Sequence, residues 1–102
     1  MTVVSHKERP WDTLTARREE ILAIVKRHRG RSISVFGSVA RGDDHPGSDI
    51  DFLVDFEPGS SLFDLMHITD ELTELLNRPI DVVGLDGLKD RDDHIRREAI
   101  PL

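Results

Sequence analysis

Apolar positions recur along this chain with two periods, and the switches between them mark its elements. In DTLTARREEILAIVKRHRG, Leu14, Ile21, Leu22 and Val25 fall near the spacing of one helix face. That spacing predicts a helix over 12–30, with Asp12, Thr13 and Thr15 as candidate caps and Gly30 as its stop. SISVFG is short, apolar and β-branched, and reads as a buried strand ending at Gly37. Residues 38–41 then read as the first turn of a short helix, and GDDHPGS reads as a loop by its turn residues. In DIDFLVDF the period is two, with Ile50, Phe52 and Val54 on one face. SLFDLMHITDELTELLNR carries the best helical stripe: Leu62, Leu65, Met66, Ile68, Leu72, Leu75 and Leu76. Pro58, Gly59, Ser60 and Ser61 supply its start signal. PIDVVGL reads as a third strand, and DRDDHIRREAI as a short final helix closed by Pro101. Helices alternate with strands throughout, which predicts a small α/β (α+β) domain over 12–102 with helices packed on a short sheet. Residues 1–11 read as an arm ending at Pro10 and Trp11.

Composition narrows the class. With 102 residues, 37% of them apolar and 33% charged, the chain reads as one small, soluble, globular domain. Its apolar runs are far shorter than the roughly 18 residues of a membrane span, and the first residues lack a secretory signal's apolar stretch. There is no cysteine, which excludes disulfides and thiolate metal sites and fits a reducing cytoplasm. The net charge of −6 argues against general attraction to nucleic acid. Lys26, Arg27, His28, Arg29 and Arg31 form a local basic run, read as a patch or as a solvated helix end that complements its dipole. His6, His28, His45, His67 and His94 have no ligand spacing and read as surface, with His45 bordering the acidic motif below. The acidic stretch 90–98 reads as a solvated face, or as a dock for a basic partner.

Chemistry concentrates in two strands and the turn before them. Side chains alternate across a strand, so Asp49 and Asp51 share a face opposite Ile50 and Phe52. Two adjacent carboxylates repel unless a cation neutralises them, and a hard divalent ion such as Mg²⁺ suits oxygen ligands. Asp81 lies inside another apolar strand and joins them if the two strands are neighbours, ~4.8 Å apart. Three carboxylates suit one or two metal ions, and two-metal sites clamp the oxygens of an in-line phosphoryl displacement. Gly37 and Ser38 end the preceding strand, where a glycine lets backbone approach a phosphate and a helix start presents free N–H groups. Each piece has a plain alternative: Gly-Ser as a simple turn, Asp-x-Asp on a strand facing water, Asp81 as a cap or a partner of Arg78.

The ordered set, GSVARGDDHPGSDIDFLV, closely resembles the signature of the DNA polymerase β-like nucleotidyltransferases: Gly-Ser, ten residues, then Asp-x-Asp. RPIDVV resembles the strand of the family's third carboxylate, and SDIDFLVDF and IRREAIPL look most like the minimal branch. The resemblance implies a short mixed sheet of three or more strands packed with helices. It implies that Gly37 and Ser38 hold the nucleotide's phosphates, and that Asp49, Asp51 and Asp81 are catalytic and bind Mg²⁺, as two ions. Arg41 is a further candidate for phosphate or partner contact, or else an ion pair with Asp43, Asp44 or Asp49. For the minimal branch it implies transfer of AMP from ATP to a tyrosine of a HEPN-domain toxin, which would make this chain an antitoxin. Two other readings stand beside it: transfer to a small molecule or an RNA end, and a non-catalytic antitoxin that masks its toxin.

Overall fold

The computed structural model describes residues 9–45 and 47–102. The elements follow in the order α1 (Pro10–Ala16), α2 (Arg18–Arg27), β1 (Gly30–Phe36), α3 (Gly37–Arg41), β2 (Ile50–Phe56), α4 (Leu62–Leu76) and β3 (Ile80–Gly84). Two short 3₁₀ turns, Leu85–Gly87 and Asp90–Asp92, lead to α5 (Asp93–Glu98) and β4 (Ile100–Pro101). The sheet is mixed and four-stranded, in the order β3-β2-β1-β4. β1 pairs antiparallel with β2 and β4, and β2 pairs parallel with β3 across the α4 connection. The core lies between one sheet face and α1, α2 and α4, built on Leu14, Ile21, Val25, Val35, Ile50, Phe52, Val54, Ile68 and Leu72. The expected α/β class, mixed sheet and buried set Ile50, Phe52 and Val54 are all present.

The first helix departs from expectation at both ends and in the middle. It starts at Pro10, whose ring presets the first helical φ, so Pro10 and Trp11 belong to α1 rather than to an arm. Arg9 is the N-cap of α1, and the remainder of the expected arm, 1–8, lies outside the described residues. The run breaks at Arg17, two residues after Thr15 turns its hydroxyl back onto the Trp11 carbonyl at 2.8 Å, a bond that often bends helices. Nor is Gly30 the helix stop. Arg29 makes the left-handed turn, at φ 65°, and Gly30 opens β1. A Cβ on Gly30 would lie 2.3 Å from Val25 Cγ1, so this glycine is set by close helix–strand packing.

Other expectations are corrected by packing. Leu62 and Met66 are not core: they are 69% and 48% exposed, as is Phe63 beside them. At about 100° per residue, Met66 falls roughly 120° from the line through Leu65, Ile68, Leu72 and Leu76. The final helix ends at Glu98, and Ile100 and Pro101 pair with Val35 and Ser34 as an edge strand, where a proline's missing donor costs little. Nor is His28 simply surface, since it and Arg27 bond the Glu71 carboxylate and tie α2 to α4. Hydrogen bonds from Arg27 first and His28 second hold the Glu71 carboxyl below its usual range. With Arg29 on the Gly59 carbonyl and Arg31 on Asp55, most of the basic run is engaged within the chain.

Candidate active site

Strand register builds the centre of the site. Phe36 of β1 sits opposite Asp51 of β2, and Asp51 sits opposite Asp81 of β3. In-register neighbours share a face at ~4.8 Å strand spacing, so the Asp51 and Asp81 side chains leave the sheet side by side. Asp49 stands one residue before β2, where the Ile50 N–H donates to the Pro79 carbonyl at 3.1 Å and holds the strand entries together. Asp49 and Asp81 are exposed, and Asp51 is half-buried. Arg78 does not pair with Asp81; it donates to the Ser48 carbonyl at 3.2 Å.

The electrostatics at Asp51 follow from this placement. Burial, then the charges of Asp81 and Asp49, push its carboxyl above the ordinary range, with Arg41 opposing and Glu98 adding. Among the described residues, no three acidic or histidine side chains converge closely enough as they stand to enclose an ion. Asp51 and Asp81 are nonetheless in-register neighbours whose like charges repel.

The turn after β1 closes the other side. Gly37 has φ +77°, and a Cβ there would lie 2.2 Å from Asp51 Oδ2. The glycine therefore makes room for a carboxylate of the chain itself as well as for a left-handed turn. Half-buried Ser38 follows, and its carbonyl accepts the Gly42 and Asp43 N–H groups at 2.9 and 3.0 Å. Arg41 donates from Nε to Asp43 Oδ2 at 3.2 Å and from Nη1 to Glu98 Oε1 at 3.2 Å. The hydrogen bond to Asp43 leads the effects that raise its pKa. Of its expected ion-pair partners, Asp43 is the one it takes. Near the motif, exposed His45 donates its backbone N–H to Ser48 Oγ at 2.9 Å.

Sequence reasoning missed Glu98. It falls in the stretch read as a solvated acidic face, yet its Oε1 accepts the Gly37 N–H at 2.8 Å across 61 residues. No local pattern marks it, because its place depends on β4 joining the sheet beside β1.

Residues 18–100 match the family model described as the nucleotidyltransferase domain. The chain belongs to that family. It is 40% identical over 87 residues to a Methanocaldococcus jannaschii protein that bears the name of a protein adenylyltransferase, covering 81% of this chain and 90% of that one. It is also 40% identical over 79 residues to the protein adenylyltransferase MntA of Thermococcus cleftensis, covering 70% of this chain and 80% of that one. A solved structure described as a minimal nucleotidyltransferase superposes with TM-score 0.82 at 43% identity, covering 97% of this chain and 100% of that one. A toxin–antitoxin structure with AMP-PNP shares the fold, with TM-score 0.60 at 23% identity over 70% of this chain and 59% of that one. The chain is thus a nucleotidyltransferase, homologous to protein adenylyltransferases. None of its helices, among the described residues, is long and apolar enough to cross a membrane.

The position of Asp51 has a consequence for stability. Its pKa is raised in the folded state, so its contribution is most favourable at low pH and is lost as pH rises through the folded value. Asp51→Asn is expected to raise the thermal midpoint at neutral pH in the presence of a chelator, and the difference should shrink as pH falls through the carboxylate range. Calorimetry across that range checks this. Equal midpoints at neutral pH would show that Asp51 is neither desolvated nor repelled.

Proposed function

We propose that this nucleotidyltransferase transfers AMP from ATP to a tyrosine hydroxyl of a HEPN-domain toxin and so acts as its antitoxin. The observation that carries the reading is the in-register pair Asp51 and Asp81, with Asp49 at the strand entry, set against the Gly37 turn. These carboxylates fit Mg²⁺: burial first and then its acidic neighbours disfavour the Asp51 charge, and an oxygen-ligated cation offsets that. Asp49, Asp51 and Asp81 would hold two ions, which when bound supply positive charge to the phosphate oxygens. Gly37 and Ser38 bind the β- and γ-phosphates through backbone N–H and hydroxyl, and Arg41 stands beside them to offset their charge. Asp81, exposed at the edge of the sheet, would take the proton of an incoming hydroxyl. The tyrosine oxygen bonds to the α-phosphorus as the bond to the bridging oxygen breaks, and pyrophosphate leaves with that electron pair. The chain supplies position and charge, which suffice for most phosphoryl transfer. The MntA relative supports a protein acceptor.

The test combines the purified protein, ATP, Mg²⁺ and its HEPN-domain partner. The partner's mass should rise by whole AMP units. An unmodified partner, with the enzyme folded and nucleotide-bound, counts against the reading. An Asp49→Asn, Asp51→Asn double variant that still binds the toxin and fully protects cells would assign neutralisation to masking.

A further inference from the structure

We infer that Glu98 is a built-in competitor of the nucleotide, occupying the phosphate position of the Gly37 turn until a triphosphate displaces it. The inference rests on the nucleotide reading of that turn. One carboxylate oxygen, Glu98 Oε1, takes both the Gly37 N–H at 2.8 Å and Arg41 Nη1 at 3.2 Å. A backbone N–H and a guanidinium converging on one anionic oxygen is also how a phosphate oxygen is bound. The turn therefore holds an anion, and that anion belongs to the chain.

The two occupants exclude each other. A single N–H makes one strong hydrogen bond, so a phosphate oxygen on Gly37 must replace Glu98. A bound triphosphate would also repel the Glu98 carboxylate by like charge. Displacement needs little movement. Glu98 is the last residue of α5, its side chain is 23% exposed, and its three torsions can swing it outward. β4 can stay paired with β1, since its contacts run through Ile100, Pro101 and the Leu102 N–H on the Ile33 carbonyl. In the free protein Glu98 meanwhile keeps Arg41 and the Gly37 amide engaged, so the turn is preformed. The cost is affinity: a site partly filled by its own side chain binds ligand in proportion to the fraction left open.

The experiment is isothermal titration of ATP in Mg²⁺ buffer into wild type, Glu98→Ala and Glu98→Gln. Glu98→Ala is expected to bind about five- to tenfold tighter than wild type, as for a site open in a tenth to a fifth of molecules. Glu98→Gln keeps an acceptor for the Gly37 amide without the charge and should fall between. If the alanine variant does not fold, the glutamine variant alone carries the test. The amide resonance of Gly37 gives a second readout: free wild type and variant should differ there, and their ATP complexes should coincide. Equal or weaker ATP binding by the folded variants overturns the inference while leaving the nucleotide site intact. Absence of ATP binding in all three proteins overturns both.

Discussion

Asp51→Asn is expected to cut AMP transfer by on the order of 10³-fold or more while the chain stays folded, as followed by partner mass and circular dichroism. The carboxylate is half-buried between Phe36 and Asp81 in the sheet, so its replacement removes a charge at the centre of the site without opening the core. Asparagine matches its shape, keeps one acceptor oxygen and lacks the negative charge that a divalent ion needs. A loss of 10³-fold corresponds to roughly 4 kcal/mol of transition-state stabilisation. The same variant should be more stable at neutral pH in chelator, because the raised Asp51 pKa marks a charge the fold holds at a cost. Opposite signs for activity and stability in one variant separate a functional carboxylate from a structural one. A variant that kept full transfer would remove Asp51 from the mechanism.

Gly37→Ala is expected to lose both stability and activity. A non-glycine residue at φ +77° carries a strain of about 1–3 kcal/mol. The new Cβ would also stand 2.2 Å from Asp51 Oδ2, so the carboxylate or the turn must move. Shifts of about 1 Å at a catalytic group cost on the order of 10²-fold in rate, and that is the loss expected for transfer. Gly42→Ala is the control. It also has a positive φ, +83°, but nothing lies within 4 Å of its Cβ position. It should lower the thermal midpoint while transfer stays near wild type. Equal activity losses at both glycines would mean that backbone strain, not the approach of Asp51, sets the role of Gly37.

Much of the fold was legible because its signals are local. Period-two burial at Ile50, Phe52 and Val54 and the Ile68, Leu72 and Leu76 stripe each reflect one element's own geometry. The elements missed or misplaced depend on partners far along the chain. Gly30 looked like a helix cap because helices often end on a glycine; only the packing of β1 against Val25 assigns it to a close approach. β4 is two residues long and carries no period, so pairing with β1 defines it. Met66 is apolar like its neighbours, and its angle on α4 leaves it exposed, while Leu62 is exposed at the first position of that helix.

The sequence by itself determined the acidic strand, the Gly-Ser turn before it and the third aspartate, since each is a residue type at a fixed local spacing. Tertiary structure decided how they meet. Parallel register set Asp51 beside Asp81, and the order β3-β2-β1-β4 brought the chain's last turn to its first strand. That closure put Glu98 on the Gly37 amide, 61 residues away, a contact that depends on which strands become neighbours rather than on any local period.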